Sequence, residues 1–255
     1  MTWGHVLAAA DGSPAGLHAL TVANDLCKAA QLRLSVVTVL PVGSVEEVPP
    51  AIAGHQPIVG RGIAGIEIVR VAEEIGADLL VLGRMVYEFQ AGPRLGPTAD
   101  QVARRSRIPC LFIPEHQEDF AHHLVALDGT ERGFAVFEVA REFLRVAGGD
   151  VEVVTVEPQD SSGGDGSHEV PRARTIRVAG TLDRMARENH RPRYPFQVLR
   201  GEPVQLLQGE LKHSTSDLLV IGSRRGGQSG PPPTSSGIGR TLLYSVSCAV
   251  LTVPL

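Results

Sequence analysis

The sequence predicts an α/β fold made of two tandem, doubly wound parallel-sheet domains in pseudo-twofold relation. Three observations carry this. The chain repeats itself: residues 7–41 and 124–158 align at an offset of 117, which sets Asp11 on Asp128, Gly12 on Gly129, Ser13 on Thr130, Gly16 on Gly133 and Pro41 on Pro158. Residues 76–84 then answer to 215–223 at an offset of 139, and 108–114 to 248–254 at 140. A repeat this long is two copies of one domain rather than a short-period solenoid. Within each copy, Val/Leu-rich runs alternate with helical patterns, as a parallel sheet with helical crossovers requires. With 43% hydrophobic and 20% charged residues, the chain has an ordinary core-forming balance. The predicted domains are 1–115 and 121–255, separated by the polar segment EHQEDFA at 115–121.

Each copy opens with a short apolar run ending at Asp-Gly, HVLAAADG or HLVALDG. A helix follows. Ser13 suits the N-cap and Pro14 the first helical position, where its missing N–H costs nothing. Leu17, Leu20, Ala23 and Cys27 share one face at helical spacing. In the second copy Thr130 is the cap, Glu131 complements the positive helix start, and Phe134, Phe137, Ala140 and Phe143 form the apolar face. The Val-rich runs 34–40 and 151–157 read as buried strands. The copies then diverge. The second carries about 22 extra residues, in which 174–190 is an amphipathic helix behind the flexible leader QDSSGGDGSHEVP. The first has Pro49-Pro50 here, which forbids a regular helix. Each copy ends with a short run, a helix, the strand DLLVLG or DLLVIG, a loop, a helix and a last strand. Right-handed crossovers put helices on both faces. Ligands of such sheets sit beyond the carboxyl ends of the strands, where the strand order reverses. Asp11 and Asp128 close the first strand of each copy, and Gly83 and Gly222 close the fourth, so all four belong to that edge.

Composition excludes several functions. A net charge of −4, with no run of five Lys/Arg, gives no footprint for nucleic acid. The N-terminus lacks a signal-peptide pattern and no window holds 18 consecutive apolar residues, so the expectation is a cytoplasmic protein without membrane attachment. Three scattered cysteines form no disulfide framework, and nine histidines form no zinc-site spacing. His122-His123 are adjacent on a strand and point to opposite faces.

The first-strand Asp followed by Gly-Ser/Thr, the strand ADLLVLG, the loop after it and the final Val/Leu strand, in this order and twice, resemble the universal stress protein family as a tandem two-domain member. The resemblance covers nearly the whole chain and implies a Rossmann-like, adenine nucleotide α hydrolase-like fold and a stress-response or signalling role. It also implies that strands 110–113 and 250–253 meet across the domain interface, as an intramolecular counterpart of the homodimer of single-domain members. Some members bind ATP through Gly-x2-Gly-x9-Gly-Ser/Thr after the fourth strand, so the resemblance implies ATP, ADP or AMP as ligand. No metal is expected beyond nucleotide-associated Mg²⁺. The glycines let backbone N–H groups approach phosphate, and the following helix start favours the anion. The first-strand Asp would lie beside the base or ribose, and the residue after the second strand would line the adenine slot.

Both copies depart from that motif. In the first, Gly83 and Gly96 keep the spacing, but Val86 and Pro97 replace the middle glycine and the Ser/Thr, and Tyr87 and Phe89 crowd the loop. In the second, Gly222 is followed late by Gly226 and Gly227, with Ser235, Ser236 and Gly237 near the final positions and Arg224 and Arg225 able to pair with phosphate. Donor count therefore favours a second-domain site at Asp128, Val156, Gly222, Arg225, Gly226, Gly227, Ser236 and Gly237. Asp11, Val39, Gly83 and Gly96 form the weaker first-domain set. The stretch 222–229 nearly fits a P-loop, but Gln228 stands where its lysine belongs, and three prolines follow where a helix is required. No Asp or Glu occurs from 222 to 244 to hold a metal. No catalytic residue is assigned, and the expectation is a non-enzymatic module. A weak ATP hydrolase and a ligand-free protein-interaction scaffold with an unidentified protein partner are the alternatives.

Overall fold

The computed structural model describes residues 2–43, 45, 47–88, 90, 93–117, 119–157, 169–188, 193–223 and 237–255, with only the backbone described for 169–174. In the first half they run β1 (His5–Ala9), α1 (Pro14–Ala30), β2 (Arg33–Leu40), α2 (Pro50–Ala53), β3 (Ile58–Arg61), α3 (Ala64–Glu74), β4 (Leu79–Arg84), a hairpin of β5 (Val86–Tyr87) and β6 (Arg94–Leu95), α4 (Pro97–Arg105) and β7 (Cys110–Pro114). The second half follows with β8 (His122–Leu127), α5 (Glu131–Ala147), β9 (Asp150–Glu157), α6 (Glu169–Glu188), β10 (Phe196–Arg200), α7 (Pro203–His213), β11 (Leu218–Ser223), α8 (Ile238–Ser245) and β12 (Ala249–Pro254).

Ten strands form one sheet in the order β10-β9-β8-β11-β12-β7-β4-β1-β2-β3. The order reads the same inward from either edge. Every pairing in this sheet is parallel except the central one, where β7 and β12 run antiparallel with Cys110 opposite Thr252, Leu111 opposite Leu251 and Phe112 opposite Val250. The two copies of the doubly wound fold are thus joined through their last strands.

Strand alternation divides the core. Val6 and Ala8 of β1 face one side with α1, α5 and α6, whereas Leu7 and Ala9 face the other with α3, α4, α7 and α8. Each apolar layer runs through both halves without a break. Because both faces are covered, the strands are continuous apolar runs, and all five residues of β1 are buried. The capping expectations hold: Ser13 Oγ accepts from Gly16 N–H at 3.2 Å and Thr130 Oγ1 from Gly133 N–H at 3.0 Å. The Pro49-Pro50 pair does not abolish helix, but opens a four-residue one with Pro50 in the first turn, where proline is tolerated. Its buried Ile52 packs in the layer that Val178 and Leu182 of α6 occupy in the second half. Of the predicted leader QDSSGGDGSHEVP, residues 159–168 lie outside the described residues, and 169–171 are already helical, so α6 begins five residues earlier than the predicted 174.

Beyond the central strands, side-chain contacts also tie the halves together. Arg84, at the end of β4, is 5% exposed and reaches into the second half. Its Nη1 donates to Leu243 O at 2.7 Å and its Nη2 to Cys248 O at 2.9 Å and Ser247 O at 3.2 Å. These carbonyls lie at and just beyond the C-terminus of α8, where a cation is favoured by the helix dipole. Asp100 of α4 pairs with Arg240 of α8 at 2.9 Å. Near the start of the chain, the backbone N–H of Trp3 donates to Glu142 Oε1 of α5 at 2.6 Å, and the Trp3 ring meets Phe143 edge-on.

Arg84→Ala removes three charge-assisted hydrogen bonds and strands buried carbonyls. It is expected to lower unfolding free energy by about 3 kcal/mol or more, read from urea denaturation. His123 is 1% exposed, with Nε2–H donating to Phe120 O at 2.9 Å and no partner at Nδ1 among the described residues. Burial holds the pKa of His123 below its ordinary value, and burial followed by Arg33 does the same to His5. The unfolded chain therefore takes up protons below pH of about 6.5 while the folded one resists them, so stability is present above that pH and falls as pH drops. Urea midpoints at pH 7.5 and pH 5 should show this loss, and His123→Phe should flatten the slope.

Candidate functional site

The strand order reverses between β1 and β4, and a cleft of about 220 Å³ opens beyond their carboxyl ends. All four residues of the first-domain set, Asp11, Val39, Gly83 and Gly96, line it. Each reaches the cleft for a different physical reason. Asp11 follows β1. Its Oδ1 accepts from Ser13 N–H at 3.0 Å and from Ser13 Oγ–H at 2.6 Å, a side-chain turn that fixes the start of α1. Gly12 has φ +83°, a backbone conformation that glycine adopts without strain. A Cβ on Gly16 would lie 2.7 Å from Asp11 Oδ1, so glycine is what lets the carboxylate settle over the helix. Oδ2 has no partner among the described residues.

Gly83 is in the cleft for packing as much as for ligand access. A Cβ there would stand 2.6 Å from the Ala15 carbonyl oxygen, so the end of β4 presses directly on the first turn of α1. Gly96 is the N-cap of α4 and makes no side-chain cap. Its N–H donates to Met85 O at 2.9 Å. Pro97 contributes no N–H, which leaves Thr98 and Ala99 as the donors at this helix start. The walls are apolar, with Val37, Ile68, Leu82 and Ala99 buried at 5% exposure or less.

Where the motif predicts a glycine-rich loop, the first half has the β5–β6 hairpin. Val86 is paired with Leu95 and Tyr87 with Arg94. Tyr87 roofs the cleft, its Cε2 being 3.4 Å from where a Gly96 Cβ would stand, and Met85 lines the cleft beside it. Both stay more than 40% exposed at the mouth. The hairpin was not legible in the sequence, since Val86 and Tyr87 read there as losses from a loop rather than as a new strand. Phe89 lies outside the described residues.

The second half repeats the first part of this geometry. Asp128 Oδ1 accepts from Thr130 N–H at 2.9 Å and Oγ1–H at 2.7 Å, with Gly129 at φ +70°. Val156 is next to last in β9, as Val39 is in β2. Gly222, next to last in β11, lies against Leu255, where an added Cβ would come within 2.5 Å of Leu255 Cδ1 and 3.3 Å of Val136. Gly239 fits α8 against Gly222 in turn, with its Cβ position 2.7 Å from the Gly222 carbonyl oxygen. Gly237 caps α8, with no described atom within 4 Å of its Cβ position. Arg224, Arg225, Gly226, Gly227, Ser235 and Ser236 lie outside the described residues.

Nucleophiles and metal ligands are scarce here. Burial pushes the thiols of Cys27 and Cys248 up to about 11 and that of Cys110 to about 12, which keeps them protonated. Among the described residues no group of three His, Cys, Asp or Glu could hold a metal ion. None of the helices among them is long and apolar enough to cross a membrane.

Duplicated doubly wound halves joined in one sheet, with a cleft at the switch point of the first, define a tandem α/β protein of the doubly wound class. The model of the universal stress protein family matches residues 50–114 and 120–253, and the chain belongs to that family. Among solved structures it is similar to a universal stress protein from Archaeoglobus fulgidus DSM 4304, with 16% identity over 98% of each chain and a TM-score of 0.72. It is also similar to a functionally unknown protein from Pseudomonas aeruginosa PAO1, with 14% identity over 99% of this chain and 92% of that one and a TM-score of 0.69. At such identities the likeness is one of fold. No curated protein matches the chain.

The contact distances separate packing glycines from permissive ones. Gly83→Ala should destabilise by about 1–3 kcal/mol through overpacking against α1, whereas Gly237→Ala, with no described atom within 4 Å of its Cβ position, should change stability by less than about 1 kcal/mol. Thermal denaturation of the two variants side by side checks the contrast.

Proposed function

We propose that the chain is a non-enzymatic stress-response or signalling module that binds adenine-containing ligands at the carboxyl edges of its two halves, with the nucleotide in the second. The observation that carries the reading is the convergence of Asp11, Val39, Gly83 and Gly96 on one cleft at the switch point. Family membership supports it. The second edge keeps the same Asp turn, and its sequence supplies Arg224, Arg225, Gly226, Gly227 and Ser236 for phosphate. Binding without turnover follows from the chemistry of that edge. Phosphoryl transfer needs metal-assisted charge neutralisation and an oriented water. The stretch 222–244 has no carboxylate to hold the metal. Asp128 Oδ1 is taken up by the turn at α5.

Mass spectrometry of the denatured, purified protein should detect an adenine nucleotide, and calorimetry should show Asp128→Ala weakening its binding at least tenfold. With Mg²⁺ and ATP, steady-state phosphate release should stay far below about 1 s⁻¹, the lower end of ordinary enzyme turnover. Turnover at that rate, lost in Asp128→Ala, would make this an enzyme.

A further inference from the structure

We infer that the first-half cleft takes an uncharged, nucleoside-sized ligand, a purine nucleoside without phosphate, rather than a nucleotide. The inference rests on the proposed adenine-ligand reading and narrows it for this site. Charge is the first ground. Among the described residues no lysine, arginine or histidine lines the cleft, and the one acidic side chain lining it is that of Asp11. The starts of α1 and α4 each supply about half a positive charge. Together they offset Asp11 and leave the site close to neutral. A phosphate would bring about two further negative charges with no cation to meet them.

Space is the second ground. A complete small-molecule site commonly measures about 300–1,000 Å³, and this cleft, at about 220 Å³, holds less. Gly96, the residue that would admit an anion to the start of α4, is roofed by Tyr87, and Pro97 beside it offers no donor. Val86, at the position of the motif's middle glycine, is held in the hairpin.

What remains matches a nucleoside. Val39, Ile68, Leu82, Met85 and Tyr87 give a flat ring apolar and aromatic contacts. Asp11 Oδ2 can accept from a sugar hydroxyl, and the Thr98 and Ala99 N–H groups can donate to one. A hydroxyl both gives and receives hydrogen bonds, so it satisfies a carboxylate and a helix start at the same time. A phosphate cannot satisfy the carboxylate.

Calorimetry of the full chain with adenosine, AMP and ATP, with and without Mg²⁺, tests this alongside Ala64→Trp and Tyr87→Ala. Ala64 lines the cleft at the start of α3 and is only half-buried, so tryptophan there blocks the cleft from its rim, and melting curves check that both variants fold. Adenosine should bind the wild type and lose at least tenfold in affinity in both variants. ATP binding, located in the second half, should be unaffected by either. If ATP binds as tightly as adenosine in a manner that Ala64→Trp blocks, the nucleoside inference is overturned while the adenine-ligand reading stands. It is overturned in the same way if Arg94→Ala abolishes that ATP binding, because the hairpin arginine then supplies the missing cation. If none of the three ligands binds, the reading and the inference fall together.

Discussion

The antiparallel pairing of β7 with β12 is the contact on which the rest of the architecture depends. Each half, taken alone, would end at its last strand with unpaired backbone groups and a raw apolar edge, an invitation to aggregate. Joined, the two edges become the centre of a ten-stranded sheet, and Leu111 and Leu251 sit there with no exposure. The pairing also makes each apolar layer continuous across the molecule. Arg84 and the Asp100–Arg240 pair are consequences of that join, because only when the strands meet do α4 and α8 come close enough for their termini to interact.

Much of this was legible in the sequence, and the reason is local. The Asp-Gly-Ser/Thr signature encodes a turn, a cap and a helix start in neighbouring residues, so Asp11, Ser13 and Gly16 behave as their types predict. The apolar stripe of α1 and the Phe-rich stripe of α5 are likewise local patterns with a fixed period. Features built from distant residues were not legible. Nothing near Arg84 indicates that its partners lie about 160 positions away at Leu243, Ser247 and Cys248. The link from Trp3 to Glu142 is of the same kind. The β5–β6 hairpin was missed because two-residue strands carry almost no periodic signal.

Degeneration of a motif and degeneration of a site are different things. Val86 and Pro97 remove phosphate donors, and by motif alone the first edge looks worn out. The cleft nevertheless exists, because much of its wall comes from β1, β2, β4 and α3, which lie outside the phosphate loop. Losing the anion cradle and gaining the Tyr87 roof alters the mouth of the cleft while the fold beneath stays intact. Gly83 and Gly222 illustrate the same separation: each has a packing reason to be glycine, and that reason persists whether or not a ligand is bound.

Asp100 and Arg240 occupy matching positions at the offset of 140 that relates the last strands, and they face each other across the axis. In an assembly of identical subunits, a residue near such an axis meets its own twin, so any charge there repels itself. Writing both subunits into one reading frame lifts that restriction. One twin has become an acid and the other a base, and repulsion has turned into attraction. The same freedom lets Arg84 answer to Ser223. Fusion thereby makes each substitution a single event in one place rather than a matched pair, and the two edges can evolve toward different ligands without either one compromising the other.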